Sequence, residues 1–207
     1  MRKLFVTPLV MAAVLAAAPA VAEESFYVGG SLAASSVSDY DFKKNNPNSQ
    51  TRTIEFDSGF GLDGRVGYDA GAVRVELELG FRGIDVDSVS PGSNASGDLN
   101  VYTAMLNGAY DLELESDFTP YIGIGIGALI VEGDVAYTSS SDGTTTEDKN
   151  FYGAAPAAQI GIGTAYAISE SVDLIGGYDL LGAQSDDGNE DNVILMHSVT
   201  FGLNVNF

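Results

Sequence analysis

The chain contains one histidine, His197, and Ser198 follows it directly. A histidine base beside a hydroxyl nucleophile is the start of a hydrolytic site. Adjacent residues of an extended strand, however, point to opposite faces, which places such neighbours badly for the hydrogen bond they need. Gly123, Gly125 and Gly127 alternate with isoleucines. A phosphate-binding glycine loop requires G-x-G-x-x-G at a strand-to-helix turn, and strict alternation is a different pattern. Asp186-Asp187-Gly188-Asn189-Glu190-Asp191, and the polar stretch from Thr138 to Asp148, are dense in carboxylates. Their spacing is not that of an EF-hand loop, and they read as solvated loops. With no cysteine and a single histidine, neither a thiolate site nor a zinc site has a ligand set. No catalytic residue, metal or cofactor is therefore assigned.

The other charges of interest are Asp63, Arg65, Arg74, Glu76, Glu78, Arg82, Asp173 and Asp179. What they can do depends on the segments that hold them. From Val73 to Arg82 every odd position is apolar and every even position is charged or glycine. That period of two belongs to a strand with one apolar and one polar face. The same alternation recurs near Phe26–Ala33, Gly59–Tyr68, 99–111, 122–130, 159–166, 172–180 and 195–207. Eight strands of about ten residues result, long enough to cross a bilayer when tilted. By parity all eight charged residues lie on the polar face.

The first 22 residues differ from the rest. Arg2 and Lys3 precede an apolar run that ends in Ala20-Val21-Ala22, the pattern of a cleaved signal peptide. Residues 23–207 are then the mature domain. Removing Arg2 and Lys3 from nine Lys+Arg leaves seven against 29 Asp+Glu, a formal charge of −22. A surface so acidic repels nucleic acid. Three connections are short, around Asp69–Ala72, Leu114–Phe118 and Ser169-Glu170. Four are long and polar, near 35–57, 83–98, 132–150 and 183–193. Strict alternation of long and short links puts the long loops at one end of the molecule and both termini at the other.

A secreted protein with eight alternating strands is either a soluble ligand-binding barrel or a membrane barrel. Soluble barrels pack large apolar residues inside. Here the polar face is largely glycine, alanine, serine and charge, which suits a narrow lumen with lipid outside. Aromatic residues near the strand ends fit two interfacial girdles: Phe26, Tyr68, Tyr110, Tyr166 and Phe207 at one end, Phe60, Phe81 and Tyr102 at the other. The expected fold is all-β, an eight-stranded antiparallel up-and-down transmembrane β-barrel.

Thr119-Pro120-Tyr121-Ile122-Gly123-Ile124-Gly125-Ile126-Gly127 resembles a strand common among opacity-like surface antigens. The carboxyl end, with Phe201, Leu203, Val205 and Phe207 alternating, resembles the terminal signal read by the barrel-assembly machinery. With the loop pattern, these features resemble the eight-stranded outer-membrane barrel superfamily of OmpA-type barrels and opacity-like surface antigens. The resemblance implies a Gram-negative outer-membrane location, long loops outside, termini in the periplasm, and contact with outer-membrane lipid and lipopolysaccharide. It implies a structural or surface-interaction role such as adhesion or envelope integrity, with an external ligand that the sequence does not name. The inward charges, in a lumen just wide enough for side chains, are expected to form a charge network that plugs it. The alternatives are a narrow porin-like channel for small solutes and a lipid-modifying or hydrolytic rim enzyme using His197.

Overall fold

The computed structural model describes residues 25–38, 40–42, 52–56, 58–90, 93–112, 114, 116–139, 146–184 and 193–207. Residues 1–22, read above as a signal peptide, lie outside the described residues. So do 185–192, with the acidic run Asp186–Asp191, and much of the first long connection.

The strands are β1 (Ser25–Val37), β2 (Tyr40–Phe42), β3 (Arg52–Phe56), β4 (Gly59–Asp69), β5 (Val73–Ser90), β6 (Ser93–Asp111), β7 (Phe118–Ser139), β8 (Thr146–Ser169), β9 (Val172–Gln184) and β10 (Val193–Asn206). Eight of them, β1 and β4 to β10, pair antiparallel in chain order. β10 then returns to β1, from Tyr27 opposite Asn206 to Val37 opposite Met196, and closes the barrel. The short β2 and β3 lie in the first long connection, and β3 extends the upper end of β5.

Local chemistry sets the tight turns. Between β4 and β5, Gly71 adopts φ of 85°, a conformation that favours glycine. Its N–H donates to Asp69 Oδ1 at 2.8 Å, and the Ala70 N–H donates to the Val73 carbonyl at 2.9 Å. These two bonds fix the strand register. It places Arg65 opposite Glu78.

The outward face is apolar around the barrel. Leu32, Phe60, Ile124, Ile160 and Val199 are exposed, Ile124 by 71 %. Ring pairs sit near both ends: Phe26–Tyr68 at 5.0 Å and Phe118–Tyr166 at 4.7 Å near the turns, Phe81–Tyr102 at 5.3 Å toward the loops.

The barrel is not level at its loop end. β1, β4, β9 and β10 run 13, 11, 13 and 14 residues, while β5 to β8 run 18, 19, 22 and 24. Much of what reads in sequence as polar loop at 83–98 and 132–150 therefore continues as strand. It forms a tall wall on one side of the rim.

Candidate functional site

The sequence points to the lumen, and the structure fills it with two kinds of chemistry. In the half nearer the turns the side chains are polar. The Arg74 guanidinium grips Asp111 with two hydrogen bonds, Nε to Oδ2 at 2.7 Å and Nη2 to Oδ1 at 2.8 Å. Its Nη1 lies 3.5 Å from Glu76 Oε1, and its plane covers the Tyr121 ring at 4.8 Å. The Tyr27 hydroxyl donates to the same Glu76 carboxylate. A bidentate arginine clamp fixes orientation as well as charge.

A second clamp stands further up. Arg82 Nη1 and Nη2 meet the Asp63 carboxylate at 2.6 and 3.0 Å. Arg82 Nε donates to Ser35 Oγ at 3.1 Å, and Ser35 Oγ lies 2.8 Å from Ser198 Oγ. Gly80 belongs to this clamp, because a Cβ there would collide with the Asp63 carboxylate and the Thr103 hydroxyl.

The middle is looser. Arg65 Nη2 lies 3.9 Å from Glu78 Oε2 and donates to Ser31 Oγ at 2.8 Å. Among the described residues, Arg65 Nε has no protein partner. Beside it is a cavity of about 40 Å³ lined by Arg65, Glu76, Glu78, Asn107, Gln159 and Asp179, among others. That is room for a few water molecules and no more.

Toward the loops the lumen turns apolar, beginning at Met105 opposite Glu78 and Val101 opposite Arg82. Ile84, Val101, Met105, Ala157, Leu181, Ala183 and Met196 pack into one buried cluster, with Val37, Leu99, Leu129, Val131 and Ala155 against it. Met105 is 1 % exposed. The sequence reading of the inner face as small and charged therefore describes one half only. A period-two count misses the other half, because there both faces of the strand are apolar. The signal lies in the runs that break alternation: Ala128-Leu129-Ile130-Val131, Leu180-Leu181 and Leu195-Met196.

All eight charged residues read from parity can now be placed. Asp63 pairs with Arg82, Arg65 with Glu78, and Arg74 with Glu76. Asp179 faces the cavity beside Arg65 and Glu78. Asp173 stands apart at the turn end, where it accepts from Asn206 Nδ2 at 2.8 Å. Sequence reasoning missed Asp111, Tyr27 and Tyr121, although Asp111 carries the closest clamp on Arg74.

His197 lies on the outer face, its Nδ1 2.6 Å from the Tyr178 hydroxyl. Ser198 points the other way and meets Ser35 inside the barrel. This histidine and this serine form no nucleophile–base pair. Phe201, Leu203 and Val205 face outward and are exposed, and the Phe207 N–H donates to the Phe26 carbonyl at 2.9 Å.

Known proteins share this architecture. The chain is 27 % identical over 208 residues to outer membrane protein PagN of Salmonella typhimurium, covering 88 % of this chain and 84 % of PagN. Neisserial surface protein A superposes with a TM-score of 0.52 at 17 % identity, over 88 % of this chain and 97 % of that one. Ail, the attachment invasion locus protein of Yersinia pestis, was solved with the heparin analogue sucrose octasulfate. It superposes at 0.52 with 13 % identity, over 89 % of this chain and 99 % of Ail. At those identities the two superpositions speak for the fold. The model of the outer membrane protein beta-barrel domain matches residues 6–207, and the chain belongs to that family of outer-membrane β-barrels.

Proposed function

We propose that this protein is a closed surface barrel of the outer membrane, with a structural or surface-interaction role and a lumen that does not conduct. The observation that carries the reading is the filled interior: paired charge in one half, a packed apolar cluster in the other, and about 40 Å³ of cavity beside the loose ion pair. An aqueous path needs a continuous wetted bore, which a packed apolar layer removes.

In this reading the long connections face outside, the termini face the periplasm, and the apolar outer band lies against lipid and lipopolysaccharide. Phe201, Leu203, Val205 and Phe207 present the strand end that the barrel-assembly machinery reads. The long connections 35–57, 83–98, 132–150 and 183–193 hold four, three, five and four acidic residues, sixteen in all, against four cations. Ail was solved with a polyanion; an outer surface this acidic suits a cationic partner instead.

Two measurements test the proposal. Proteoliposomes carrying the barrel should swell in small sugars no faster than empty vesicles, and faster swelling would establish the channel reading. An epitope inserted between Ser141 and Thr145 should be labelled on intact cells, and labelling only after lysis would reverse the orientation.

A further inference from the structure

We propose that the edge of β8 from Thr146 to Pro156, unpaired on one side among the described residues, accepts an extended cationic polypeptide as an added strand. The inference rests on the surface reading above and adds to it a place and a mode of binding.

Among the described residues, β8 pairs on one side only along this stretch. Thr146 to Pro156 lie opposite Thr138 to Ala128 of β7. Pairing with β9 begins only at Ala157, opposite Ala183. Among the described residues the stretch rises above its neighbours on that side, where β9 is described to Gln184 and β10 from Val193. An unpaired strand edge presents a row of N–H and C=O groups, which is the template that strand addition uses. Eleven residues at roughly 3.3 Å each give about 35 Å of edge. Pro156, which has no N–H to donate, marks its base, and no other proline follows up to Thr146.

Charge selects the occupant. The parts of β5 to β8 from Asp85, to Asp98, from Glu132 and to Gly153 hold seven Asp and Glu and one cation, Lys149. The register puts Asp85 opposite Asp98, and Asp98 opposite Asp134, in one row across three strands. Like charges directly opposite each other destabilise a sheet. Asp134 lies opposite Asn150 of β8, so a strand added at the β8 edge stands two strands from this row and meets it as a field rather than as a direct pair. A second copy of this chain would bring the same acidic excess to the edge and is disfavoured. A strand with alternating lysine or arginine satisfies both the backbone edge and the field.

The full barrel in lipid nanodiscs tests this with a labelled twelve-residue peptide of alternating lysine and threonine. A lysine–proline peptide keeps the charge but cannot pair as a strand. A glutamate–threonine peptide keeps strand propensity and reverses the charge. The lysine–threonine peptide should bind at least tenfold tighter than either, and amide exchange should slow within residues 146–156. Equal binding of the lysine–proline peptide, or no slowing in that stretch, would overturn the proposal. So would binding that emerges only after residues 185–192 are deleted, since that segment would then be the occupant. Peptide-independent dimers protected at 146–156 would make a second copy the occupant and overturn it equally. Strand-dependent binding in nanodiscs that is absent on intact cells would support the edge site while contradicting the orientation proposed above.

Discussion

From the turns up to Arg82 the lumen holds guanidinium and carboxylate groups paired at 2.6 to 3.0 Å; from Met105 toward the loops it is filled by methionine, leucine, isoleucine, valine and alanine. Both halves block a continuous water path, but they fail differently. A buried ion pair depends on both partners, and removing one leaves an uncompensated charge. An apolar cluster depends on volume, and losing one side chain leaves a cavity whose cost varies with how far the surroundings relax. The charged half should therefore respond to substitution in an all-or-none way and the apolar half in a graded way.

The largest effect should come from the tighter of the two kinds of ion pair. Arg82→Ala strands Asp63, which is 4 % exposed, and should cost about 3–5 kcal/mol in urea unfolding from detergent micelles. Adding Asp63→Leu in an Arg82→Met background should recover most of that loss, because an apolar pair of similar volume needs no partner. A double variant no more stable than Arg82→Ala would break the contrast between the two halves.

Met105→Ala comes next, at about 3 kcal/mol, from the cavity it opens in the apolar cluster. Here Met105→Leu should restore stability to within about 1.5 kcal/mol of wild type, since volume is nearly conserved. Failure of leucine to rescue would mean that packing is not what Met105 supplies.

Arg65→Ala should cost less, about 1–3 kcal/mol. Its ion pair to Glu78 is a single contact at 3.9 Å, and the adjoining cavity lets water take up the freed charge. A loss as large as that of Arg82→Ala would show that the looser centre is as tightly coupled as the clamps.

Deleting Phe207 should have the smallest effect on the folded barrel, about 0.5–1.5 kcal/mol, because it removes an exposed ring and one hydrogen bond to the Phe26 carbonyl. The effect expected in cells is on delivery: outer-membrane levels should fall while refolding in detergent stays normal. Unchanged membrane levels would remove the assembly role from this residue.

How much of this was legible follows from where alternation holds. Val73 to Arg82 alternates without a fault, and from it the inward placement of Arg74, Glu76, Glu78 and Arg82 can be read; that Arg65 lies opposite Glu78 is set by the register of the turn, which no single strand carries. The apolar half was hidden because its strands carry apolar residues on both faces, and a two-sided run says nothing about which side is the core. Asp111 was missed because it ends β6, where parity has fewest neighbours to anchor it, although Asn107 and Ala109 share its face. The tall wall was hidden by composition. Residues 132–150 are rich in serine, threonine and acid and read as loop, yet β7 and β8 continue through much of this stretch, paired as far as Thr138 opposite Thr146. His197 shares the parity of Val199, Phe201 and Leu203, which puts it on the outer face, but its bond to Tyr178 depends on a cross-strand register that no single strand reveals.

The central claim is that the lumen is closed twice, so that loosening the charge does not open it. Planar-bilayer recordings of the wild type and of Arg65→Ala, side by side, test this most directly. Neither protein should show steady conductance, even though the variant unfolds at lower urea. A stable conductance in the wild type, or one that opens in Arg65→Ala, would contradict the account, the second by making the ion pairs the only seal.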